Sequence, residues 1–169
     1  MVRVQLRSVR VDLQSNTPVL LLEEQAGIGR TLPIFIGTPE ATSIAYAVQG
    51  VEVKRPLTHD LLVEVIEELG AVLEHVEISD LDGSTYYAEL VLTRDGEAHT
   101  VSARPSDAVA LAIRTGSPLF VADHLMELDT VFIASDLDDD DDDDDDEPDE
   151  VVEEFREFLD SISPEDFGD

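Results

Sequence analysis

The chain has 169 residues, 43% of them hydrophobic, no cysteine, and a formal net charge of -30. That is one domain's length with enough apolar residues for a core, and it excludes a disulfide scaffold, a thiolate metal site and a cysteine nucleophile. No run approaches the roughly 18 apolar residues of a membrane span, and the alternating start is unlike a signal peptide, so a soluble, cytoplasmic protein with no membrane partner is expected.

Residues 2–13 alternate as a strand, with Val2, Val4 and Leu6 on one face and Arg3, Gln5 and Arg7 on the other. A turn at 15–18 leads to a buried strand at 19–22, a hairpin loop at 26–30 and a third strand at 31–36. Gly37-Thr38-Pro39-Glu40 then opens a helix: Thr38 suits the cap, Pro39 the first helical position, and Glu40 complements the dipole. That helix ends near Gly50. A second spans 58–69, with Leu61, Leu62, Val65, Ile66 and Leu69 on one face. Strands follow at 72–78, 85–92 and 98–103, the last two joined by a tight turn at Arg94-Asp95-Gly96-Glu97. A helix at 106–115, a short strand at 119–122 and an extended end at 131–134 complete the body.

The order strands-then-helix occurs twice, and Glu40 and Asp107 take equivalent places, each followed by Ala and a helix of small residues. The expected fold class is α+β, a mixed, mostly antiparallel sheet with packed helices built from a duplicated unit. Residues 1–135 form the domain, 136–148 an acidic linker and 149–169 an acidic amphipathic tail. The linker holds nine consecutive Asp at 138–146, which repel one another and favour disorder. In the tail, Val151, Val152, Phe155, Phe158, Leu159 and Ile162 fall at helical spacing. From residue 136 onward there are 20 acids and one base; the preceding 135 residues hold 20 acids and nine bases. The body is therefore acidic even without the tail. Nucleic acid should be repelled at long range unless bases cluster locally or a cation bridges the gap.

Two stretches concentrate chemistry. Arg55-Pro56-Leu57-Thr58-His59-Asp60 sets a histidine, whose ordinary pKa of about 6.5 suits acid–base work, beside a carboxylate at a helix start. Arg104-Pro105-Ser106-Asp107 sets a cation, a hydroxyl and a carboxylate at another. Helix N-termini bind anions, but Thr58, Asp60 and Ser106 are equally good capping residues, and spacing leaves both readings open. His75, His99 and His124 lie in strand or loop contexts without ligand spacing. Gly27-Ile28-Gly29 lacks the rest of a dinucleotide or phosphate-loop signature, and Glu23, Glu24, Glu67 and Glu68 read as solvated faces.

Leu32-Pro33-Ile34-Phe35-Ile36-Gly37 with Glu40-Ala41, then 55–60, then Tyr86-Tyr87-Ala88, then Ala103-Arg104-Pro105-Ser106-Asp107-Ala108 follow one another as in the bifunctional nuclease domain family, which this chain resembles over about residues 1–134. The resemblance implies an α+β fold, frequent dimers, and nuclease activity on DNA and RNA. The matching positions are Glu40, Arg55, His59, Asp60, Arg104, Ser106 and Asp107. In that setting Glu40 and Asp107 would hold a divalent cation, Mg or Mn. His59, Asp60 or Asp107 would serve catalysis, His59 or Asp60 by activating water. Arg55, Arg104 and Ser106 would bind substrate. A non-catalytic ligand- or protein-binding module with an acidic regulatory tail is the alternative, with a basic protein as the tail's partner.

Overall fold

The computed structural model describes residues 1–12 and 15–128. The extended end at 131–134, the acidic linker and the tail helix lie outside the described residues. Seven strands form one sheet: β1 (Val2–Asp12), β2 (Thr17–Glu24), β3 (Thr31–Phe35), β4 (Ala71–Asp82), β5 (Thr85–Arg94), β6 (Glu97–Ala103) and β7 (Leu119–Val121). The helices are α1 (Thr38–Val48), α2 (Thr58–Glu68), α3 (Pro105–Thr115) and α4 (Asp123–Leu128). The fold class is the expected α+β. No helix among the described residues is long and apolar enough to cross a membrane.

The sheet order is β3-β2-β1-β7-β4-β5-β6. Two antiparallel three-stranded meanders thus flank β7, which runs antiparallel to β1 and parallel to β4. The repeat read from the sequence is therefore physical: each meander is followed by a helix, α1 or α3, and the two helices pack against each other. Both are rich in alanine where they meet the core. Ala41, Ala45, Ala108, Ala110 and Ala112 are all buried, and small residues let the helices settle close to the sheet. Leu20, Leu22, Leu32, Ile44, Ile78 and Leu111 are fully buried in the same single core.

Registers explain the alternation. Val4 pairs with Leu119 and Leu119 with Val76, so one apolar row crosses the sheet's centre. The pattern in β1 slips at a bulge between Leu6 and Ser8, because an extra residue reverses the faces beyond it. The hairpin joining β5 and β6 turns at Asp95 and Gly96, both with positive φ, the conformation that a two-residue turn of this kind demands.

Three features depart from the sequence reading. Helix α2 forms where expected but packs by another face: Val63 joins the core edge and Ile66 is half-buried, whereas Leu61 and Leu69 are 52% and 59% exposed and Leu62 and Val65 are also exposed. Helical periodicity marks an apolar stripe but not what covers it. Glu24 is not a solvated face; Arg30 grips it through Nε at 3.0 Å and Nη2 at 2.8 Å. His124 lies in α4, a six-residue helix too short to carry a period.

Leu111 is at the centre of α3 and fully buried, so Leu111→Ala should cost about 2–5 kcal/mol of unfolding free energy in a urea titration. Ile28→Ala, at an exposed loop position, should stay within about 0.5 kcal/mol of the unsubstituted chain.

Candidate active site

Three helix starts converge here, and each carries an acid as its third residue: Glu40 in α1, Asp60 in α2 and Asp107 in α3. The residues expected to cap, Thr38, Thr58 and Ser106, instead lie inside the helices. The N-caps are Gly37, Leu57 and Arg104, none with a capping side-chain bond. Proline explains the shift in α3: Pro105 fits the first helical position and keeps the residue before it extended, so the helix starts earlier. Arg104 has that extended backbone, with φ -74° and ψ 146°. In α2 the backbone N–H of Leu57 donates to Asp60 Oδ2 at 2.8 Å, so Asp60 satisfies a helix-start donor.

Arg104 links two of the acids. Its Nε donates to Asp107 Oδ2 at 2.7 Å and its Nη2 to Asp107 Oδ1 at 3.0 Å, while Nη1 lies 2.9 Å from Glu40 Oε1. Glu40 folds back over its own helix start, where a Cβ at position 37 would collide with its Oε2; glycine leaves the space. Asp107 Oδ1 also meets His59 Nε2 at 3.0 Å, and His59 Nδ1 lies 2.8 Å from Ser43 Oγ. Arg114 Nη2 donates to Ser43 Oγ and to its carbonyl, each at 3.1 Å, and Arg114 Nε donates to Asp60 Oδ1 at 2.5 Å. The result is one continuous polar chain: Glu40, Arg104, Asp107, His59, Ser43, Arg114, Asp60.

The chain is most exposed at Arg104 and covered through its middle. The Arg104 side chain is 64% exposed and that of His59 12%. Burial works to raise the Asp107 carboxyl, but hydrogen bonds from Arg104 and His59 and the Arg104 charge outweigh it and hold it below the ordinary carboxylate range. Asp60 follows the same logic. Burial opposes ionisation, and the Arg114 and Leu57 N–H bonds overcome it, leaving the carboxyl lowered. The Arg104 guanidinium is raised, chiefly by its bond to Asp107.

The structure brings Glu40, Arg104, Asp107 and His59 together and places Asp60 at the far end of the same chain, behind Ser43 and Arg114. Arg55 is exposed on the α1–α2 loop and has no ion pair or hydrogen bond among the described residues. Ser106 is buried as the second residue of α3. Ser43 and Arg114 are the members that sequence reading missed, since neither stands in a local motif. An open cavity of about 260 Å³ adjoins Arg114 and Asp60, lined otherwise by residues such as Tyr46, Val51, Val53, Leu57 and Ile113.

The sequence reading assigns a divalent cation to Glu40 and Asp107. The two carboxylates expected to hold one already share the Arg104 cation between them. No three His, Asp or Glu side chains gather as a ligand set among the described residues. The arrangement can instead present a positive, hydrogen-bonding edge to an anion. Three of the five guanidinium N–H groups of Arg104 are engaged, leaving two to donate outward.

A family model described as the bifunctional nuclease domain matches residues 20–134. An uncharacterized protein of Mycobacterium tuberculosis is 45% identical over 164 residues, which is 97% of this chain and 96% of that protein. Bifunctional nuclease 2 of Oryza sativa subsp. japonica is 31% identical over 107 residues, 62% of this chain and 33% of the rice protein. Bifunctional nuclease 1 of Arabidopsis thaliana is 27% identical over 115 residues, 66% of this chain and 35% of the plant protein. This chain thus spans about a third of the length of the plant relatives.

Carboxyls with lowered pKa values add stability that is complete above their unfolded pKa, about 3.9 for Asp, and lost as pH falls through the lower folded values. The urea midpoint should therefore fall steadily below about pH 4. Asp107→Asn should flatten that fall, since its amide does not titrate. An unchanged acid slope in Asp107→Asn would show that this carboxyl is not held down by Arg104 and His59.

Proposed function

The chain belongs to the bifunctional nuclease domain family, and on that premise we propose that it is a nuclease that hydrolyses phosphodiester bonds in DNA and RNA. The observation that carries the reading is the Arg104–Asp107–His59 cluster. An exposed guanidinium fixed by carboxylates is linked through one of them, Asp107, to a histidine. In this reading the outward N–H groups of Arg104 take the phosphate oxygens and stabilise the charge that grows as water attacks. Arg55, free on the neighbouring loop, adds a second phosphate contact. As Arg104 turns its Nε toward the phosphate, Asp107 Oδ2 is released to accept the proton of the attacking water. The water oxygen bonds to phosphorus as the bond to the leaving oxygen breaks, and the leaving oxygen takes a proton from solvent. His59 holds Asp107 through Oδ1 and stabilises it across the step. Asp60 supports the chain from behind, and Ser106 shapes the helix start under the site. No step passes through Mg or Mn, because Arg104 occupies the place between Glu40 and Asp107.

The exposed stripe Leu61, Leu62, Val65 and Leu69 on α2 supports a homodimer, since residues four apart form a strip that a second copy can match about a two-fold axis. The lack of cysteine supports a cytoplasmic setting. The acids beyond residue 135 support a basic protein as a further partner.

Purified protein should degrade single-stranded RNA and plasmid DNA at low salt, and His59→Ala and Asp107→Ala should each lower kcat by about 10²–10⁴-fold. Cleavage should persist in EDTA. A strict need for added Mg or Mn would show that the carboxylates take a cation in place of Arg104. A protein that binds but cuts neither substrate would leave the non-catalytic module as the reading. Light scattering should give a dimer mass that Val65→Glu halves; a monomer before substitution would sink the α2 pairing.

A further inference from the structure

Ser43 and Arg114 touch nothing in the proposed reaction, yet they close the polar chain behind His59. Both are well covered: Ser43 is 8% exposed and the Arg114 side chain 9%. Arg114 is held from three elements. Its Nε meets Asp60 of α2, its Nη1 donates to the Ala110 carbonyl of its own helix at 2.9 Å, and its Nη2 meets the carbonyl and hydroxyl of Ser43 on α1.

For the neutral form of the imidazole, the donor inventory then assigns every proton around the ring. Arginine only donates, so Ser43 Oγ receives from Arg114, and its single O–H is left to point elsewhere. An ionised carboxylate only accepts, so the 3.0 Å contact to Asp107 Oδ1 requires the hydrogen on His59 Nε2. His59 Nδ1 is then bare, and the Ser43 hydroxyl, 2.8 Å away, donates to it. We propose that Ser43 and Arg114 are positioning residues that lock the His59 ring, so that Nε2–H faces Asp107 and Nδ1 faces inward. Ser43 is buried and doubly bonded; it acts through His59 and not as a nucleophile. The assignment deepens the nuclease reading, on which its catalytic consequence rests. Its geometry does not depend on that reading.

The test uses the full chain labelled with ¹⁵N and long-range proton–nitrogen NMR of the imidazoles at neutral pH. The unsubstituted protein should show one His59 tautomer, with Nε2 protonated and Nδ1 bare. In Ser43→Ala the two nitrogen shifts should move toward each other as the ring samples both arrangements. Ser43→Thr, which keeps the hydroxyl, should restore the single tautomer, and Arg114→Lys should drift as Ser43→Ala does. On RNA, Ser43→Ala should lower kcat by about 10- to 100-fold with KM within about twofold. A single Nε2–H tautomer retained in Ser43→Ala, with unchanged thermal unfolding, overturns the proposal whatever the nuclease assay gives. A locked tautomer lost in Ser43→Ala, in a protein that never cuts nucleic acid, upholds the positioning and sinks only the nuclease reading.

Discussion

Glu40 and Asp107 both occupy the third position of a helix, and the packing of α1 on α3 brings them near enough to share one guanidinium. Two carboxylates so placed repel each other, and Arg104 removes that conflict by donating to both. An exposed ion pair contributes about 0–1 kcal/mol, so this contact is not what keeps the domain folded. Its effect is geometric. It aims a cation outward, holds Asp107 in one orientation, and shares the Oδ1 oxygen of that carboxylate with His59.

Stability comes from below. A single core runs through both meanders, and the central apolar row joins β1, β7 and β4. Because β7 ties the halves together, helices from separate repeats stand on one continuous surface, and their starts keep a constant spacing. Helix α2 has no buried residue. It is held at its start by the bonds of His59 and Asp60, and along its length by Val63 at the core edge. The polar chain therefore also anchors the helix that supplies His59 and Asp60 to it.

The sheet and three of the helices were legible because period-two and period-3.6 patterns follow directly from which face meets the core. The equivalence of Glu40 and Asp107 was legible too, since it follows from spacing and the proline before each acid. What lay beyond reach depends on contacts between distant segments. Ser43 and Arg114 are 71 residues apart, and each on its own looks like an ordinary helix residue: a small residue facing the core, and a basic residue in a last turn where the dipole favours one. His59 and Asp60 are neighbours in sequence, yet they bond to different partners because successive helix positions point about 100° apart. The covered side of α2 was misjudged for a related reason. An apolar stripe records that something can cover it, and the neighbouring strand met the other side.

The two repeats carry different residues at the N-cap, Gly37 in the first and Arg104 in the second. The glycine clears space for a carboxylate, and the arginine reaches across to it. A pair of identical half-units related by symmetry would have to place the same residue at both caps. Two glycines would leave the acids facing each other without a counter-ion, and two arginines would crowd Glu40 out of its seat. A covalently fused pair, unlike two identical units, is at liberty to specialise one cap as a recess and the other as a clasp, so the asymmetry of this site is a property that joining the halves in one chain makes available.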